Sequence, residues 1–186
     1  MILTTAQLPE RRAYEHYPTP EWLTEAALNL IQSPPESVLD VGAGNGVWGR
    51  TARRKWPLSQ VYGVEIQNSP WPDAYNYWHI GDFLEYDIMS YDLIMGNPPY
   101  NQVEAFIDRA EGLLKRGGEI VFLLRLAFLE GQKRRDGLFK RWPPRHVAVC
   151  SRRPSFNEDG KGTNATAFGV FCWTLGHTGA TTVSWL

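Results

Sequence analysis

Short runs of consecutive apolar residues alternate along the chain with stretches in which apolar positions recur every three or four residues. The runs read as strands buried on both faces, and the wider spacing as helices lying against them. Helical spacing opens at Pro20, suited to a first helical turn, and runs to about 32 through Leu23, Ala26, Ala27, Leu30 and Ile31. Ser33-Pro34-Pro35 stops it. Residues 37–41, 60–66, 77–80, 91–96 and 119–124 read as strands, with helices at about 47–56 and 103–114 between them. Residues 126–141 predict a basic helix with an irregular start, and 146–150 and 167–173 are two further strands around a long polar loop. This alternation predicts a doubly wound α/β domain with a mostly parallel sheet of seven strands.

Composition adds little that is unusual. The 186 residues suit one domain spanning 1–186, with residues 1–16 as an irregular arm, and 43% are apolar and 21% charged. No apolar run reaches the roughly 18 residues of a membrane span, and the N-terminus lacks the pattern of a signal peptide. Cys150 and Cys172 both fall in strand-like stretches and read as buried thiols of a reducing compartment. The four histidines are scattered without zinc-site spacing. The expectation is a cytoplasmic protein without metal, either monomer or homodimer. Charge is uneven: residues 1–100 carry 6 Lys/Arg against 12 Asp/Glu, and residues 101–186 carry 13 against 8. The basic clusters at 133–135, 140–141, 145 and 152–153 suit a polyanion, but taken alone they read first as solvated helix and loop surfaces.

The candidate chemistry gathers where strands end. Asp40-Val41-Gly42-Ala43-Gly44-Asn45-Gly46 follows the first strand and opens a helix, a place where glycines let the backbone approach a ligand. Glu65 ends the next strand about twenty residues on, where a carboxylate can accept hydrogen bonds from ribose hydroxyls. Asp82 follows the third strand beside Phe83, placed for an adenine amino group and ring face. Together these resemble the cofactor site of class I S-adenosylmethionine-dependent methyltransferases. The resemblance implies a Rossmann-like fold with an antiparallel C-terminal strand and S-adenosyl-L-methionine as cofactor. It implies cofactor contacts from Asp40, Gly42, Ala43, Gly44, Glu65, Ile66, Asp82 and Phe83.

Asn97-Pro98-Pro99-Tyr100 follows the fourth strand at the same sheet edge. An amide oxygen from Asn97 and the Pro98 carbonyl can each accept one N–H of a conjugated amine. That pairing turns the nitrogen lone pair toward an electrophilic methyl group, so positioning supplies much of the acceleration. Pro98 and Pro99 stiffen the turn without adding N–H donors, and Tyr100 offers a face for a planar group. The tetrapeptide resembles the motif of amino-methyltransferases acting on adenine N6 in nucleic acid and on glutamine side chains. Asn97 is also expected to contact the cofactor.

Two more segments lean toward nucleic acid. Tyr17-Pro18-Thr19-Pro20 resembles the N-terminal cofactor-contacting motif of adenine-N6 DNA methyltransferases, in the gamma-type motif order, and implies contacts from Tyr17, Thr19 and Pro20. Ser151-Arg152-Arg153-Pro154-Ser155-Phe156 is similar to a loop of that family in which an aromatic packs on the flipped-out base, with Arg152 and Arg153 near phosphates. Phe156 is equally compatible with a loop anchor. The stretch from Leu123 to Glu130 and this loop resemble those of small phage-encoded adenine methyltransferases. The implied activity is site-specific methylation of adenine N6 in DNA. An RNA adenine methyltransferase, a glutamine methyltransferase of the release-factor type and a non-enzymatic scaffold subunit are the alternatives. Nothing is long enough for a separate target-recognition domain, so the expectation is short or relaxed sequence specificity.

Overall fold

The structure is a computed structural model, and it describes residues 18–68, 70–156 and 166–186. Strand β1 (Ser37–Val41) is buried at all five positions, because both of its faces are covered. Parallel neighbours β2 (Gln60–Glu65) and β4 (Tyr91–Gly96) flank it, with β3 (Tyr77–Ile80) outside β2. On the other side β4 pairs with β5 (Leu114–Arg125), β5 with the antiparallel β7 (Phe168–Thr174), and β7 with β6 (His146–Val149). A last strand, β8 (Thr182–Trp185), runs parallel to β6 and closes the order β3-β2-β1-β4-β5-β7-β6-β8.

Alternate side chains of the central strands feed two cores. Val38, Leu93, Met95, Val121 and Leu123 pack under α1 (Glu21–Leu28) and α2 (Val47–Lys55). Leu39, Ile94, Ile120, Phe122 and Leu124 pack under α3 (Val103–Gly112) and the short α5 (Leu138–Arg141). The expected α/β class holds, with eight strands rather than seven. The eighth reads weakly because it is an edge strand: Thr182, Val183 and Trp185 are exposed, and Trp185 is 71% accessible.

Three other elements differ from expectation. The first helix ends at Leu28, and α3 ends at Gly112, before β5 begins at Leu114 with a register shift against β4. The expected helix over 126–141 is broken into a 3-10 turn (Leu126–Leu129), α4 (Gln132–Asp136) and α5. Gly131, at φ 104°, and Gly137 separate the pieces. Cys150 and Cys172 are free and buried, and burial pushes their thiols up to about 11 and about 12.

Strand order reverses between β2-β1 and β4-β5, so the carboxyl ends of β1 and β4 diverge there. Open α/β sheets place their ligand crevices at that point.

Candidate active site

A cavity of about 370 Å³ opens at this switch point. That lies within the range of small-molecule sites. One wall is the turn after β1, where Gly42, Gly44 and Gly46 have φ of 65°, 52° and 78°, a backbone that side chains with a Cβ rarely adopt. Gly42 and Ala43 N–H groups both donate to the Val64 carbonyl at 3.0 Å, fastening the turn to the end of β2. Glu65 then braces it. Its buried carboxylate accepts the Gly44 N–H at 2.7 Å through one oxygen and the Gln67 N–H at 2.9 Å through the other. Each oxygen keeps a lone pair, and Glu65 lines the cavity beside Ile66.

The far wall comes from the turn after β3. Asp82 caps the 3-10 turn Phe83–Glu85 by accepting the Leu84 N–H at 2.9 Å, which fixes its carboxylate at the cavity edge. Phe83 leans on Phe106 of α3, with ring centroids 4.9 Å apart, and both line the cavity. Pro18 and Thr19 border it from before α1, and Thr19 Oγ1 accepts the Trp48 indole N–H at 3.2 Å. Asn97 and Pro99 complete the lining after β4. Glycine at position 96 is required by packing: a Cβ there would meet the Val41 carbonyl oxygen at 2.5 Å.

Several expected residues lie elsewhere. Asp40 is fully buried beneath the glycine turn and does not line the cavity; it accepts the Tyr75 hydroxyl at 2.6 Å. Burial pushes its carboxyl up to about 7, against the opposing pull of the Tyr75 hydroxyl and the Gly49 backbone N–H. Pro20 caps α1, its carbonyl accepting the Leu23 and Thr24 N–H groups, and is not part of the lining. Pro98 and Tyr100 also fall outside the cavity. Tyr100 donates its hydroxyl to Asn97 Oδ1 at 3.0 Å, so it meets the cavity wall from the other side. Phe156 takes the anchor place: it is 7% exposed, edge-on to buried Phe168 at 5.0 Å. Arg152 lies over the Trp22 ring at 5.0 Å, and Arg153 is exposed. Tyr17 lies outside the described residues.

The basic second half is less available than its composition suggests. Arg134 meets Glu104 at 3.4 Å, Arg135 meets Asp136 at 2.7 Å, and Arg141 bridges Asp108 at 2.6 Å and Glu111. Arg145 bonds Glu119 at 3.1 Å, where Glu119 also accepts the Gln32 N–H and the Thr174 hydroxyl. The lining residues that were not expected include Trp48, Gln67, Asn101, Gln102 and Phe106. Gln67, Asn101 and Gln102 follow strand-end motifs by one to three positions, which is the only signal the sequence offers for them. Among the described residues no group of three acidic, His or Cys side chains could hold a metal ion. No described helix is long and apolar enough to cross a membrane.

The cavity thus combines a carboxylate suited to vicinal hydroxyls, a second acid, aromatic and aliphatic faces for a flat heterocycle, and an asparagine in its wall. Strand order and the antiparallel β7 give the fold of class I S-adenosylmethionine-dependent methyltransferases. The M protein of the type I restriction enzyme EcoKI matches 91% of this chain with a TM-score of 0.68 at 15% identity, over 46% of its own length. An RNA methyltransferase from Salinibacter ruber, solved with S-adenosyl-L-homocysteine, matches 88% of the chain and 96% of itself, with a TM-score of 0.58 at 18% identity. In sequence, the chain is 33% identical over 84 residues to the tRNA1(Val) (adenine(37)-N6)-methyltransferase of Flavobacterium psychrophilum, covering 38% of this chain and 36% of that protein. It is 30% identical over 112 residues to the ribosomal RNA large subunit methyltransferase G of Shewanella amazonensis, covering 48% and 29%. The chain therefore spans about a third of the length of these curated relatives. No protein-family model matches the sequence.

Proposed function

We propose that this chain transfers a methyl group from S-adenosyl-L-methionine to the N6 amino group of adenine in DNA. The observation that carries the reading is the position of Asn97, which lines the same cavity as Glu65, Asp82 and the glycine turn and follows β4 directly. In this reading Glu65 holds the ribose hydroxyls, Asp82 with Phe83 and Ile66 holds the adenine ring, and Gly42 to Gly44 face the methionine part. When bound, the cofactor supplies an electrophilic methyl group on a sulfonium.

The chain's own contribution is orientation. Asn97 Oδ1 and the Pro98 carbonyl accept the two N–H groups of the acceptor amine, which directs its lone pair into the cavity. Tyr100 donates its hydroxyl to Asn97 Oδ1, which orients the amide. The proton lost from the methylated nitrogen leaves to water, and no strong base is needed because the product amine is a weak one. A cytoplasmic location fits such a substrate.

RNA is the second reading, and a specific observation favours it: the two sequence relatives above are named for tRNA and ribosomal RNA. Incubation with labelled cofactor and unmethylated DNA, tRNA, ribosomal RNA or a release factor separates these cases. Label recovered as N6-methyladenine from DNA is the expected outcome. Label in RNA alone moves the acceptor to RNA, and label in protein alone overturns the nucleic-acid reading.

A further inference from the structure

Like Arg134 over Phe128 and Arg152 over Trp22, Arg125 faces a ring, and its ring is that of Tyr100 beside Asn97. Arg125 is the last residue of β5, beside the turn that carries Tyr100 at the end of neighbouring β4. Its guanidinium lies over the Tyr100 ring, 4.5 Å from the centroid, and the residue is exposed. Among the described residues it makes no ion pair within 4.0 Å, whereas Arg134, Arg135, Arg141 and Arg145 each do.

The ring beneath it is held firmly. Tyr100 packs against Phe168, which is 1% exposed, at 5.8 Å, and its hydroxyl is tied to Asn97 at 3.0 Å. The pair thus joins the cofactor cavity at Asn97, from outside it. A guanidinium is planar and weakly hydrated, and it stacks on aromatic side chains and on nucleobases alike. We propose that Arg125 and Tyr100 are the two walls of the acceptor slot, and that the target base enters between guanidinium and phenol ring. This rests on the nucleic-acid reading above.

Two stacking distances of about 3.5 Å require the planes to stand roughly 7 Å apart. The guanidinium has to lift by about 2 to 3 Å, which a long exposed side chain does by rotamer change and without breaking an ion pair. In the absence of a base, Arg125 covers the ring and keeps it from water. With a base present, Arg125 covers the base instead, and the base edge turns toward Asn97. Arg125 is accordingly a base-binding residue, and its plane matters more than its charge.

Three variants separate the plane from the charge: Arg125→Ala, Arg125→Lys and Arg125→Phe. Each is assayed with labelled cofactor on unmethylated duplex DNA, and in a parallel arm on total tRNA, at two salt concentrations. Cofactor affinity is measured separately by calorimetry with S-adenosyl-L-homocysteine. Base stacking predicts that Arg125→Ala raises KM for the nucleic acid about tenfold or more, with cofactor affinity unchanged. It predicts that Arg125→Lys is nearly as poor, and that Arg125→Phe recovers much of the loss with little added salt dependence. Rescue by Lys and not by Phe, with a salt-dependent defect, makes Arg125 a phosphate contact and overturns the slot. An Arg125→Ala enzyme indistinguishable from wild type also overturns it, leaving only a surface cation–π pair. If wild type labels protein and neither nucleic acid, the functional reading itself has failed. If wild type labels nucleic acid and the variants behave against prediction, the slot alone has failed.

Discussion

On the cavity side of Asn97, Glu65 is clamped by two backbone N–H groups and Asp82 by a third, and the glycine turn is fastened to β2. On the other side, a phenol ring is covered by an exposed guanidinium, with no carboxylate within 4.0 Å of it among the described residues. In the proposed reading, the cofactor half is built before its ligand arrives, and the acceptor half is built to open. The difference follows from the ligands. A small molecule bound in every cycle gains affinity from polar groups already aimed at it. On that reading, a base drawn from a polymer has to displace what covers the ring, and an exposed planar cation moves by rotamer change.

The sharpest way to break this comparison is at the boundary. Asn97→Ala should lower kcat by roughly 10²- to 10³-fold, as expected for removing one preorganised hydrogen-bonding group. Single-turnover kinetics should show the loss in the chemical step, and calorimetry should still detect cofactor. A loss confined to cofactor affinity would assign Asn97 wholly to the cavity half. Next in size, Glu65→Gln should weaken cofactor binding by about 10- to 100-fold, the worth of a charged hydrogen bond. KM for the nucleic acid should stay put at saturating cofactor. Equal losses on both sides would show that the halves are not separately built.

The smallest effect concerns the support beneath the cavity. Asp40 in the fold titrates at about 7 against a usual 3.8, so between about pH 4 and 7 the folded state holds a proton that the unfolded state has lost. Its contribution to stability is therefore fully present below the usual carboxylate range and is lost as pH rises through about 7. Asp40→Asn keeps an acceptor for the Tyr75 hydroxyl and carries no titrating charge. Wild-type Tm should fall relative to Asp40→Asn by several degrees between pH 5 and 8, read by scanning calorimetry. Parallel curves would show that Asp40 does not titrate in this window.

The two halves were also unequally legible in the sequence. The cavity residues sit within a few positions of strand ends, so Gly42, Glu65, Asp82 and Asn97 could be located from local pattern alone. Asp40 shares that address, yet strand alternation turns its side chain under the turn toward Tyr75, a partner 35 residues away. Phe106 and Trp48 read simply as helix core, because one apolar face serves both core and cavity. The pairing of Arg125 with Tyr100 depends on β4 and β5 lying side by side, which no local spacing encodes. The charge clusters left both a polyanion and a solvated surface open, and their acidic partners, Glu104, Asp108, Glu111 and Glu119, come from α3 and β5, which spacing does not pair with them. Strand β8 was missed because an exposed edge carries no buried apolar run.

The most direct test of the central claim is nucleoside mass spectrometry of unmethylated DNA incubated with the purified chain and methyl-labelled S-adenosyl-L-methionine, beside its Asn97→Ala variant. The account predicts labelled N6-methyladenine with the wild type and its near-complete loss with the variant. Unlabelled nucleosides with labelled protein, or label that survives Asn97→Ala undiminished, would contradict it.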